Sequence, residues 1–254
     1  MAKKPKVKFS VMSEKDNYKA ITMFFDDDKD LDARFTQNLA KRFNIDVEYL
    51  RGKSYEDRLN YITSCTFPIY QSKINLLQYN LNTFQNMWNK NERKILLEFE
   101  KIFNEKLTEP IIAEGRININ PICPRFYDTW SFDIWCESSP TDALVTAIHE
   151  ITHFLWFDKW KEVFPNWKRS DFERPSISWL FSEIAIDAIF YHSCFKEFSG
   201  DKPAYYYFYD VEIEGTNMIK LFRKLYKENS IENFMKLGMT ILNRNLDVVL
   251  PLTR

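Results

Sequence analysis

Two of the chain's three histidines stand four residues apart, with a glutamate directly after the first: His149-Glu150-Ile151-Thr152-His153. On a helix, residues four apart lie one turn above each other, so both imidazoles can face one ion while the Glu150 carboxylate lies beside it. Neutral imidazoles are zinc ligands. Zinc lowers the pKa of its water to about 7, and a neighbouring carboxylate can take the released proton and return it to a leaving amine. With 3 His and 19 Glu in 254 residues, such a pattern is expected by chance about 0.003 times. The spacing therefore points to Zn2+ held by His149 and His153, with Glu150 as general base.

A zinc site needs a third protein ligand. One known extension of this motif places Gly three residues after the second histidine and another His three beyond; Trp156 and Lys159 occupy those places. The chain offers instead a second apolar stretch, Ser178 to Phe190, in which Glu183 and Asp187 interrupt a core-like run one helical turn apart. Buried carboxylates need partners. A metal and its histidines would supply both, Glu183 binding the ion and Asp187 the outer nitrogen of an imidazole.

His149-Glu150-Ile151-Thr152-His153 followed by Glu183-Ile184-Ala185-Ile186-Asp187 resembles the gluzincin, or thermolysin-like, clan of zinc metallopeptidases, over roughly residues 115–192. The resemblance implies His149, His153 and Glu183 as zinc ligands, Glu150 as general base and Asp187 as partner of a ligand histidine. It also implies an antiparallel edge strand before the first helix that pairs with extended substrate, for which Ile117 to Asn120 and Phe126 to Ile134 are the candidates. Enzymes of the clan supply a Tyr or His to the developing oxyanion, and no residue here is assigned that role. His192, nine residues after Glu183, falls on the opposite side of a regular helix and reads as a packing residue. Tyr205, Tyr206, Tyr207 and Tyr209 form a strand-like segment equally consistent with reaching the site and with packing.

The elements that must carry these residues are also legible. Ser139 suits an N-cap, Pro140 the first helical position, and Asp142 sits three after the cap. Leu144, Ile148, Ile151 and Leu155 then make an apolar stripe that anchors the helix. Further upstream, Val7, Phe9 and Val11 alternate before a polar turn, and Tyr18 to Phe25 resumes a β-type composition, which predicts a hairpin. Asp26, Asp28 and Asp30 open like a calcium loop, but Leu31 and Gln37 stand where Gly and Glu are needed. They read instead as the entry to a helix with Leu31, Phe35, Leu39 and Phe43 buried. Leu77, Leu81, Phe84 and Trp88 predict one helix and Ile95 to Phe103 another, with a break near Asn89-Lys90-Asn91. Thr108-Glu109-Pro110 ends the helical pattern, and Gly215-Thr216 and Ser230 open two C-terminal helices. The expectation is an α+β protein: a helix-rich region with a hairpin start over 1–110, and a compact zincin-like domain over 111–254, built from a small sheet with an antiparallel edge and the active-site helices.

Composition removes other classes. Gly52, Gly115, Gly200, Gly215 and Gly238 are the only glycines, too dispersed for a dinucleotide fingerprint or a phosphate loop. A net charge of -1 gives no field for nucleic acid or an anionic membrane, and the basic start reads as a solvated tail. No apolar run spans a bilayer and no signal core follows the N-terminus, so a cytoplasmic protein is expected. Cys65, Cys123, Cys136 and Cys194 form no CxxC pair and read as reduced, mostly buried thiols. The expected function is zinc-dependent hydrolysis of a peptide or protein substrate. Two alternatives are a dedicated regulatory protease cleaving one protein partner, as in ImmA/IrrE-like proteins, and a non-catalytic binding module pinned by zinc. The intact Glu150 argues against the last, since a structural site needs no base.

Overall fold

The computed structural model describes residues 2–200 and 208–253. The fold is α+β and predominantly helical, with one four-stranded sheet and a separate two-stranded antiparallel pair among the described residues. Among the described residues, one compact unit takes those of Val7–Asn89 and Ile112–Ala147, and the other those of Met1–Lys6, Lys90–Ile111 and Ile148–Arg254. The chain thus crosses between units more than once, where the sequence suggested a single cut near 110. No helix among the described residues is long and apolar enough to cross a membrane. The four cysteines are free thiols; only Cys136 is buried and the other three are half-buried.

The four-stranded sheet has the order β1 (Ala2–Val11), β2 (Leu107–Asn118), β4 (Ser131–Trp135), β3 (Arg125–Phe126). β2 and β4 run parallel with Ile117 opposite Ile134, and β3 closes the edge antiparallel to β4 with Arg125 opposite Phe132. Lys4, Lys6 and Lys8 form the exposed face of β1, alternating with buried Pro5, Val7 and Phe9. The basic start is therefore an edge strand with a charged face, a form that resists further pairing, and not a tail.

Several local expectations are corrected. The hairpin is absent: Ser13 accepts the Asp16 N–H at 3.2 Å and donates to its carboxylate at 2.6 Å, and this cap starts a helix, α1 (Glu14–Thr22), which buries Tyr18 and Ile21. In α2 (Arg34–Phe43), Leu39 and Phe43 are buried as expected, but Phe35 is 41% exposed and Thr36 and Ala40 fill its place. After the short α3 (Val47–Leu50), the two central helices are one, α4 (Tyr55–Ile102), which passes through Asn89-Lys90-Asn91 without a break. The strand expected from Phe126 to Ile134 is split by a 3-10 turn at Tyr127–Thr129 and by Trp130, whose φ is 48°. Of the two edge-strand candidates, Ile117 lies in the inner strand β2, while Phe126 lies in the antiparallel edge strand β3.

Asp133, on β4, is fully buried and bound by Arg116 of β2, whose Nε and Nη2 lie 2.9 and 2.7 Å from Oδ1. Burial outweighs the pull of Arg116 and raises the carboxyl from 3.8 to about 6. The raised value means that the stability linked to this group is fully present below about pH 4 and lost as pH rises through about 6. Asp133→Asn removes that dependence. From pH 4 to pH 7 the wild type should lose about 2–3 kcal/mol relative to the variant in urea unfolding; parallel stability profiles would contradict the assignment.

The second unit carries α5 (Pro140–Val163) from Ile148 onward, α6 (Ile177–His192), α7 (Lys196–Ser199), the hairpin β5 (Glu212–Ile213) and β6 (Thr216–Asn217), and α8 (Met218–Glu228), α9 (Ile231–Arg244) and α10 (Leu246–Val249). Ser139 caps α5 as the sequence indicates, accepting from the Asp142 N–H at 3.1 Å. Residues 151–157 of α5 and 178–189 of α6 are all buried, so both helices are enclosed all round and not amphipathic. Gly215 does not open a helix: with Glu214 it takes positive φ, 70° and 52°, the geometry of a tight two-residue hairpin turn. The cap of α8 is Asn217, which accepts from the Lys220 N–H at 3.1 Å, and Ser230 caps α9 as expected.

Phe181 on α6 is the hub of this core, its ring 5.3–6.2 Å from those of Trp156, Trp160, Phe222 and Phe234. Gly238 of α9 admits it: a Cβ at that position would lie 2.2 Å from Phe181 Cζ. Helix propensity alone favours Gly238→Ala by about 1 kcal/mol, but a ring held on four sides cannot move away. The variant should be less stable by about 1–2 kcal/mol in urea unfolding; a raised Tm would show that the ring has room.

Candidate metal centre

α5 projects His149 and His153 from consecutive turns, with ring centroids 4.8 Å apart. α6 brings Glu183 to them. The two Nε2 atoms are 3.1 Å apart, and Glu183 Oε2 lies 3.2 Å from that of His153 and 3.4 Å from that of His149. Three potential ligand atoms so placed could hold a metal ion, and these residues are the group among those described that can. His153 and Glu183 are sealed, with 0% and 1% side-chain exposure, while His149 retains 18%. Approach from solvent is therefore on the His149 side. Glu150 is buried next to the group, its Oε1 3.9 Å from His149 Nε2.

Asp187, one turn beyond Glu183, is used differently from the expectation. Its carboxylate receives two bonds from Arg223 of α8, Nε to Oδ2 at 2.8 Å and Nη2 to Oδ1 at 3.0 Å, and a further bond from the Tyr209 hydroxyl. Arg223 Nη2 also donates to the Tyr209 oxygen at 2.9 Å, and the guanidinium lies 4.0 Å over the ring of Tyr191. Asp187 thus ties α6 to α8 and to Tyr209 instead of orienting an imidazole. A guanidinium fork matches both carboxylate oxygens, which no imidazole nitrogen can do. Burial and the Asp187 carboxylate hold the Tyr209 phenol above its ordinary value. For Arg223, burial acts to lower the value, and pairing with Asp187 outweighs it and raises it.

Tyr209 spends its one proton on Asp187, so in this arrangement it has none for an oxyanion. Tyr205, Tyr206 and Tyr207 lie outside the described residues. His192 packs its ring 4.9 Å from that of Tyr191 and 6.1 Å from that of Tyr226, in keeping with a packing role. Arg223 was not singled out from the sequence. The available signal was its place beside the buried Ile219 and Phe222 of α8, where a cation needs a buried partner.

Comparison of the chain with protein-family models, with curated proteins and with solved structures finds no match.

Removing Arg223 leaves an uncompensated carboxylate in a nearly sealed place. Arg223→Met should destabilise the protein by about 2–4 kcal/mol, and Asp187→Asn/Arg223→Met together by less than the sum of the single changes. Urea unfolding of the four proteins checks this; strict additivity would show that the pair does not act as one unit.

Proposed function

We propose that the chain is a zinc-dependent hydrolase that cleaves peptide bonds, with His149, His153 and Glu183 as ligands and Glu150 as general base. The observation that carries this reading is the donor triangle, with edges of 3.1, 3.2 and 3.4 Å, lying beside a buried carboxylate. Tetrahedral zinc with bonds of 2.0–2.1 Å sets ligand separations of about 3.3–3.4 Å, within about 0.3 Å of all three edges. Two imidazoles also disfavour calcium and magnesium, which take oxygen ligands.

Zinc bound here would supply Lewis acidity for a peptide carbonyl and a water acidic enough to ionise near neutral pH. The chain's residues do the rest. The half-open His149 side admits substrate, while the sealed His153 and Glu183 keep the opposite face dry. Glu150, buried with its Oε1 3.9 Å from His149 Nε2, would be the base for that water and would return the proton to the departing amine, the division of labour expected of a general base in such a site. The resemblance of His149–His153 and Glu183–Asp187 to gluzincin metallopeptidases supports the same chemistry. The Arg223 contact of Asp187 marks this chain's own way of holding the second helix. A dedicated regulatory protease remains within this reading, since it would use the same centre on a single protein partner.

Metal analysis and hydrolysis of a fluorogenic peptide library test the proposal together. The wild type should carry one zinc per chain and His149→Ala should carry almost none. Glu150→Gln should keep zinc and lose about 10²–10⁴-fold in rate. Iron in place of zinc, or zinc unaffected by losing His149, would overturn the metal assignment; unchanged hydrolysis by Glu150→Gln would overturn the catalytic one.

A further inference from the structure

His153 is the sealed histidine of the ligand set, and one side of its ring meets a column of aromatic faces. The imidazole lies nearly parallel to the ring of Phe157, one turn further along α5, with an interplanar angle of 18° and centroids 5.8 Å apart. Phe157 stacks in turn on Phe172 at 4.2 Å and 20°, and Phe172 on Trp167 at 5.3 Å and 4°. Phe157 and Phe172 are fully buried, whereas Trp167 is half-buried and carries the ammonium of Lys161 at 5.2 Å over its ring. Trp167 and Phe172 belong to the connection between the two ligand-bearing helices, in and just before the 3-10 turn Arg169–Phe172. Most other ring contacts of this core are edge-on or tilted: Trp156, Phe181, Phe222 and Phe234 meet at 60–84°. A run of four near-parallel rings that starts on a metal ligand is therefore a distinct arrangement within the unit.

We propose that the column Phe157–Phe172–Trp167 is a positioning device for His153, setting the plane of the imidazole and favouring its metal-bound state. The inference rests on the metal reading above and deepens it. An imidazole rotates about its Cβ–Cγ bond with a broad torsional preference, so a flat face beside it narrows the plane in which Nε2 can point at His149 and Glu183. An imidazole that gives electron density to a cation also becomes positively polarised. The negative face of an aromatic ring attracts such a group, and Phe172 and Trp167 extend that face outward. A branched aliphatic side chain of similar volume would fill the space but offer neither a flat face nor a quadrupole. The same column couples the 164–176 connection to metal occupancy, because ordering the His153 ring orders the rings stacked beyond it.

The test uses the full-length chain stripped of metal, with zinc affinity read by competition against a chromophoric chelator and the ligand geometry read by the visible absorption of added Co2+. Phe157→Leu keeps an apolar side chain of similar size, Phe157→Tyr keeps the ring, and Trp167→Leu removes the outermost face at a half-buried position where folding is least at risk. Phe157→Leu should bind zinc about 3- to 10-fold more weakly with an altered Co2+ spectrum, Phe157→Tyr should stay within about 2-fold of wild type, and Trp167→Leu should lose about 2- to 3-fold. Thermal unfolding of the metal-free proteins serves as the control for packing. Wild-type affinity in a folded Phe157→Leu, or equal weakening in Phe157→Leu and Phe157→Tyr, overturns the proposal. If Phe157→Leu does not fold, Trp167→Leu decides, and unchanged affinity there overturns it. A wild type that takes up no zinc defeats the metal reading itself, an outcome distinct from any of these.

Discussion

Three potential ligand atoms, His149 Nε2, His153 Nε2 and Glu183 Oε2, are held within 3.4 Å of one another, two of them on sealed side chains. Bringing such atoms together without water is costly unless something positive lies between them. Protons on the two imidazoles can satisfy two edges of the triangle, but a cation satisfies all three at once. The surrounding structure is consistent with holding this arrangement. α5 is capped at Ser139 and buried all round through 151–157, so its rotation is fixed and both imidazoles leave it on one side. α6 is buried from 178 to 189 and locked by Phe181 among four rings, which fixes where Glu183 arrives.

The polar groups near the centre divide by role. Glu150 is buried with its Oε1 3.9 Å from His149 Nε2, beside the donor triangle and outside it. Asp187 is engaged elsewhere, since Arg223 and Tyr209 take up its oxygens. The guanidinium compensates the Asp187 charge and spends the same contact on joining α6 to α8.

The grouping of His149 and His153 was legible in the sequence because helix periodicity is rigid: once Ser139, Pro140 and Asp142 mark the start of α5, the facing of the two imidazoles follows. Glu183 was legible for a related reason, a carboxylate in a run too apolar to be exposed. The partner of Asp187 was not, because Arg223 lies 36 residues further on and no local rule links the two. The aromatic column was hidden likewise, since Phe157 and Phe172 look like any core residues until their ring planes are known. In the N-terminal region the capping signal of Ser13 and Asp16 was read as a turn, and the β-type composition of 18–25 prevailed over it. The structure shows the cap deciding, with Tyr18 and Ile21 buried in the helix it starts. At Asn89-Lys90-Asn91 the reverse holds: polar, weakly helical residues stay in α4 because Trp88 and Ile95 on either side are fully buried.

The most direct test of the central claim is a crystal structure with anomalous data collected on both sides of the zinc edge. The account predicts one anomalous peak about 2.0–2.1 Å from His149 Nε2, His153 Nε2 and Glu183 Oε2, with a non-protein ligand completing the tetrahedron on the His149 side. Three side chains closed on one another through hydrogen bonds in zinc-containing crystals, or a peak ligated by other residues, would contradict it.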